Sequence, residues 1–202
     1  FGMLISLYRR LAQCDTAVRN QGTKDGLVGF ELEAKKFGVI GAGAIGTRVA
    51  RIAKAFGCEV YIYSRTEKEI EGAQFVSMEE LLSACDIVSL HVPLNKETTH
   101  LIDKGKLALM KENAVLINTA RGPVVDSEAL AEALNEGKIA GACVDVFEKE
   151  PPVEASHPLF HAKNILVTPH VAFATKEAMV KRAHIAFENV RAWENGKPQN
   201  VM

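Results

Sequence analysis

The chain has 202 residues, 48% of them hydrophobic and 24% charged, which is enough for one domain with a substantial core and ordinary for a globular protein. Its net charge of −1 points away from nucleic-acid and membrane-surface partners. No apolar run approaches the ~18 residues needed to span a bilayer, and no metal site is expected.

The start, Phe1-Gly-Met-Leu-Ile-Ser-Leu-Tyr-Arg-Arg, is apolar first and basic second, the reverse of a signal peptide, and does not begin at Met. A fragment or processed product is therefore expected. Cys14, Cys58, Cys85 and Cys143 lie far apart with no C-x-x-C pair, so they read as free thiols of a reducing cytoplasm. Leu4, Ile5, Leu7, Tyr8 and Leu11 form a stripe at helical spacing that predicts one helix over 1–20. Residues 20–34 hold three glycines and mixed charges and read as a loop or arm.

Strands and helices then alternate. An apolar strand at 37–40 runs into Gly41-Ala-Gly43-Ala44-Ile45-Gly46, and a helix at 44–56 follows. In that setting G-x-G-x-x-G has a physical meaning. The first glycine permits the tight turn, the second lets a pyrophosphate reach the backbone, and the third lets helix and strand pack closely. Further strands are predicted at 59–63, 86–90, 114–118, 139–144 and 165–168. Helices are predicted at 77–84, with Ser77 and Glu80 at capping-box spacing, at 126–135, closed by Gly137, and at 175–195, stopped by Gly196 and Pro198. Near-continuous apolar strands between helices indicate a Rossmann-type α/β fold, a doubly wound parallel sheet covered on both faces. The predicted organisation is an entry helix and arm over 1–34, a dinucleotide-binding domain over 35–195, and a terminal crossing segment over 196–202. The loop Glu150-Pro-Pro-Val-Glu-Ala-Ser-His-Pro158 is long for such a domain, and long loops are often functional.

The strand at 59–63 ends where such folds place an acidic ribose ligand, ~20 residues past the glycines. Here the sequence is Ser64-Arg65-Thr66. Two hydroxyls and a guanidinium favour a 2′-phosphate, so NADP is expected over NAD, with a permissive turn as the bland alternative. Arg121 stands at the carboxyl end of a buried strand and can clamp a planar carboxylate, although a lone Arg is more often a salt-bridging residue. Asp145 closes the next strand, Glu150 follows on the loop, and His170 comes directly after the last strand.

Taken in order, the glycine motif, His91-Val92-Pro93, Asn118-Thr-Ala-Arg-Gly122, Val144-Asp-Val-Phe with Glu150-Pro, and Thr168-Pro-His170 resemble the D-isomer-specific 2-hydroxyacid dehydrogenases, from residue 1 to 202. The resemblance implies a nicotinamide cofactor, NAD(P)H, and a small 2-oxo or 2-hydroxy acid substrate, with a homodimer formed through cofactor domains. It implies Arg121 as the carboxylate and carbonyl binder, His170 as the proton donor and acceptor, and Glu150 as its partner. Gly41, Gly43, Ala44, Ile45 and Gly46 would hold the phosphates. Thr119, Ala120 and Asp145 match positions at the nicotinamide end, and His91, Val92 and Pro93 complete the cofactor contacts.

Family members usually carry a longer N-terminal stretch that forms most of a substrate domain, so this chain resembles the cofactor domain alone and is expected to be inactive by itself. The segment Val171-Ala-Phe-Ala-Thr175 resembles glycerate, hydroxypyruvate and lactate members more than the phosphoglycerate branch. An NAD(P)-sensing corepressor on the same domain is the alternative from another class. A formate dehydrogenase is disfavoured, because that branch resembles this one but has Gln where Glu150 stands.

Overall fold

The computed structural model describes residues 1–66 and 69–201, so Glu67, Lys68 and Met202, each inside a predicted domain span, lie outside the described residues. The chain divides into two compact units, Phe1–Pro169 and His170–Met202.

The first unit is a parallel seven-stranded sheet in the order β3-β2-β1-β4-β5-β6-β7. The strands are β1 (Lys36–Ile40), β2 (Glu59–Tyr63), β3 (Ala73–Phe75), β4 (Ile87–Leu90), β5 (Val115–Asn118), β6 (Gly141–Val144) and β7 (Ile165–Val167). The helices are α1 (Gly2–Tyr8), α2 (Leu11–Arg19), α3 (Ala44–Ala55), α4 (Met78–Ala84), α5 (Lys104–Leu107) and α6 (Ser127–Asn135). The order reverses at β1, whose neighbours are β2 and β4.

Successive strand side chains point to opposite faces, and each face has its own core. Phe37, Val39, Ile87, Val115, Ile117 and Cys143 pack with Leu4 and Tyr8 of α1 and Ala50 and Ala53 of α3. Ile40, Val88, Leu90, Leu116, Ala142 and Val144 pack with Leu81 and Leu82 of α4, Leu107 of α5 and Leu130 of α6. Burial on both faces is why the central strands read as unbroken apolar runs. Side-chain caps fix where the helices start: Ser77 accepts from the Glu80 amide, Asp103 from Lys106 and Asp126 from Ala129.

The single helix predicted over 1–20 is two helices. Arg10 adopts a left-handed conformation (φ 50°, ψ 42°), and the chain turns there. The Tyr8 carbonyl accepts from the Phe30 amide at 3.1 Å, and Arg10 Nη1 donates to the Gly26 carbonyl at 2.6 Å. The arm therefore binds the end of α1 and replaces its next helical turn. Leu11, counted in the apolar stripe, is half exposed. β3 and α5 were not predicted; they span three and four residues, too short to leave a periodic signal.

The second unit contains α7 (Lys176–Glu194), capped by Thr175 Oγ1 accepting from the Ala178 amide at 3.0 Å. Ahead of it, His170 has φ 58°, and its ring meets that of Phe173 edge-on at 5.4 Å, with Arg182 over the other ring. Among the described residues no helix is long and apolar enough to cross a membrane.

Candidate active site

Because every strand pair is parallel, the carboxyl ends share one edge. The register runs Tyr63, Ile40, Leu90, Asn118, Val144 and Val167 from strand to strand. Backbone bonds carry the alignment one residue beyond the strands: Gly41 N to Tyr63 O, His91 N to Ile40 O, Asp145 N to Asn118 O, and Thr168 N to Val144 O, each between 2.8 and 3.0 Å. The loops at this edge hold the glycine motif, Ser64-Arg65-Thr66, His91-Val92-Pro93, Thr119-Ala120-Arg121 and Asp145 with Glu150. In an open α/β sheet ligands bind at this edge, where the strand order reverses.

The glycine turn is built for close approach. Gly41 has φ +101°, and a Cβ there would lie 2.5 Å from the His91 carbonyl oxygen. A Cβ on Gly46 would be driven into the Gly41 carbonyl, so α3 can pack on β1 only through a glycine. A Cβ on Gly43 would meet nothing within 4 Å, so its face is open. Gly43 also caps α3 without any side-chain bond, and the first turn holds no acid. The leading amides of α3, from Ala44 and Ile45, therefore face an open, uncapped end that suits an anion. This arrangement fits the pyrophosphate of a dinucleotide.

At the β2 end, Ser64 is half-buried and Arg65 and Thr66 are exposed. Arg65 Nη1 donates to Glu97 Oε2 at 2.6 Å, and Glu97 lies on the loop after β4. His91, at the end of β4, shares a hydrogen bond of 2.9 Å with Ser89 through Nε2. Burial pulls its imidazole down from 6.5 to about 4, so it is neutral at physiological pH.

At the β5 end, the Asn118 side chain shapes the turn. Its Oδ1 accepts from the Ala120 amide at 3.1 Å, and its Nδ2 donates to the Arg121 carbonyl at 3.0 Å. Thr119 and Ala120 are thereby fixed, and the exposed Arg121 guanidinium donates to the Ala120 carbonyl at 2.6 Å. Gly122 lies against the backbone of Phe147 and Glu148, where a Cβ would collide, so the Arg121 turn and the loop after β6 are tightly apposed.

That loop has its own supports. Asp145, 1% exposed, accepts from the Thr168 hydroxyl. Glu148 takes a 2.9 Å bond from His157, whose ring packs edge-on against Phe147. Burial raises Glu148, but the bonds from Ser127 and His157 outweigh it and hold the carboxyl below its usual range. Glu150 is exposed beyond these anchors. His170, the remaining predicted catalytic residue, opens the second compact unit immediately after Pro169. Asn118 and Thr168 stood in the sequence motifs without a role of their own, and Ser89, Glu97 and His157 were not singled out; the partners of Thr168, Glu97 and His157 lie 23, 32 and 9 residues away, while Asn118 and Ser89 act within their own turns. Among the described residues no cluster of His, Cys, Asp and Glu could hold a metal ion.

A family model described as "D-isomer specific 2-hydroxyacid dehydrogenase, NAD binding domain" matches residues 1–172. Among curated relatives, a glyoxylate reductase of Aeropyrum pernix is 48% identical over 87% of this chain and 54% of its own length. A glyoxylate reductase of Thermococcus litoralis is 43% identical over 100% of this chain and 64% of its own. The chain thus spans between half and two-thirds of the length of these relatives. Among solved structures, an acyclic imino acid reductase (Bsp5) in complex with NADPH and D-Arg has a TM-score of 0.92 at 33% identity, covering 100% of this chain and 65% of that one. A D-lactate dehydrogenase of Aquifex aeolicus complexed with NAD and lactic acid has a TM-score of 0.89 at 34% identity, covering 98% and 65%.

Proposed function

Since the chain belongs to the D-isomer specific 2-hydroxyacid dehydrogenases and carries their NAD-binding domain, we propose that it is the cofactor half of an NAD(P)H-dependent reductase of small 2-oxo acids, of the glyoxylate, hydroxypyruvate or lactate kind. The observation that carries this reading is the edge itself. One row of aligned strand ends presents the open glycine turn, then Arg121, then the loop bearing Asp145 and Glu150. The relatives named above support the substrate class.

When bound, the cofactor would supply the hydride for C2 of the 2-oxo acid. Gly43 and the first amides of α3 would hold its pyrophosphate, and Thr119, Ala120 and Asp145 would serve its nicotinamide end. Arg121 binds the substrate carboxylate and stabilises negative charge on the C2 oxygen. His170 donates its proton to that oxygen as charge develops and takes it back in the reverse direction. Glu150 is the partner that the family resemblance gives His170. The bonds of Asn118 shape the turn that carries Arg121, and those of Asp145 and Glu148 anchor the loop ahead of Glu150, which a hydride transfer sensitive to small displacements requires.

Ser64, Arg65 and Thr66, with no carboxylate among them, support NADPH as the preferred form. Val18, Val28 and Phe30 of α2 and the arm are strongly exposed apolar residues and support a homodimer formed through this region. The test is His170→Ala in the full-length enzyme. Turnover of glyoxylate should fall by at least about a hundredfold, in line with loss of a general acid, while cofactor affinity stays within error. Undiminished turnover would overturn the assignment.

A further inference from the structure

We propose that Glu97 selects the cofactor: it holds Arg65 across the adenosine end of the site and must release it for a 2′-phosphate to bind. β2 and β4 are the two strands flanking β1, so the loops that follow them stand on either side of the glycine turn. The Arg65–Glu97 ion pair, 2.6 Å long, joins those two loops from positions 32 residues apart.

Glu97 is placed by its own loop and not by the ion pair. Its amide and that of Thr98 both donate to Asn95 Oδ1, at 2.9 and 3.0 Å. The Thr98 hydroxyl donates to the Pro93 carbonyl at 2.6 Å and accepts from the Asn95 amide at 2.8 Å. The Glu97 backbone is therefore fixed whether or not Arg65 is bound, and its side chain is tethered within reach of Arg65.

The two side chains are 70% and 71% exposed, so the pair is a weak clasp in water, readily exchanged. A phosphate monoester carries more negative charge than a carboxylate and three acceptor oxygens, and it displaces Glu97 from the guanidinium. Glu97 then opposes NADPH in two ways, by competing for Arg65 and by repelling the phosphate. With NADH the clasp stays closed and Glu97 costs nothing. Selectivity is set by the pair, and a sequence reading of Ser64-Arg65-Thr66 alone overstates it. This inference rests on the 2′-phosphate reading of Arg65.

The experiment is a calorimetric titration of the chain and of Glu97→Gln, Arg65→Ser and the double variant with NADPH and NADH. Glu97→Gln should tighten NADPH about three- to fivefold, the worth of an exposed ion pair, and leave NADH within about twofold. The gain should shrink in the double variant, where only the repulsion is left to relieve, and shrink as salt is raised. An unchanged NADPH affinity in Glu97→Gln, with Arg65→Ser weakening NADPH, overturns the role of Glu97 and leaves the phosphate site standing. An unchanged NADPH affinity in Arg65→Ser overturns the phosphate site itself. Weaker NADH binding in Glu97→Gln would make Glu97 a ribose ligand and overturn the clasp.

Discussion

Asn118→Ala removes the side chain that shapes the Thr119–Arg121 turn. Asn118 is 1% exposed, and both of its amide atoms are used, one by the Ala120 N–H and the other by the Arg121 carbonyl. The Ala120 N–H is buried, and leaving it without an acceptor costs about 1–3 kcal/mol. The Arg121 carbonyl lies nearer to solvent, recovers a water and costs about 0.5–1 kcal/mol. Together the variant should lose about 1.5–4 kcal/mol, a large share of the ~5–15 kcal/mol that holds a domain folded. Urea unfolding followed by circular dichroism reads this directly: with a slope of about 2 kcal/mol per molar, the midpoint should fall by about 1–2 M. Cofactor affinity should fall with it, because Thr119 and Ala120 lose their template. A loss under about 0.5 kcal/mol at an unchanged slope would refute the reasoning, since it would mean the turn holds its shape without Asn118.

Gly46→Ala drives a methyl into the Gly41 carbonyl, so α3 must move off β1; dinucleotide affinity should drop at least about tenfold, and wild-type affinity would contradict the close-packing role. His91 has a depressed folded value of about 4 against 6.5, so below pH 6.5 the unfolded chain takes up a proton that the folded one refuses. Stability is therefore full above that pH and declines as pH falls toward 4, by at most about 3 kcal/mol. His91→Gln should flatten that part of the stability profile, and superimposable profiles would count against burial of a neutral imidazole.

The sheet was legible because strands buried on both faces leave unbroken apolar runs, as in Val115-Leu-Ile-Asn118, and because Ser77 and Asp126 mark helix starts chemically. The strand at Glu59–Tyr63 was placed to the residue. The break at Arg10 was not legible, since its cause is a bond from Phe30 twenty residues on. Arg121, Glu150 and His170 stood out by their places at or after strand ends, and their roles came from the family resemblance that the ordered motifs carry. Nothing local marks Asn118 as the template of the Arg121 turn, Thr168 as the support of Asp145, or Glu97 as the partner of Arg65. The Asn118 bonds lie within its own turn and only the fold shows them made, whereas Thr168 and Glu97 meet partners that the sheet brings together from 23 and 32 residues away.

The most direct test of the account is a side-by-side calorimetric titration of the 202-residue chain with NADPH and NADH. The carboxyl edge described here predicts saturable one-to-one binding of both, tighter for NADPH, and abolished or strongly weakened by Gly46→Ala. Failure of a folded chain to bind either cofactor would contradict the assignment of the edge, and tighter NADH binding would contradict the 2′-phosphate site at Ser64, Arg65 and Thr66.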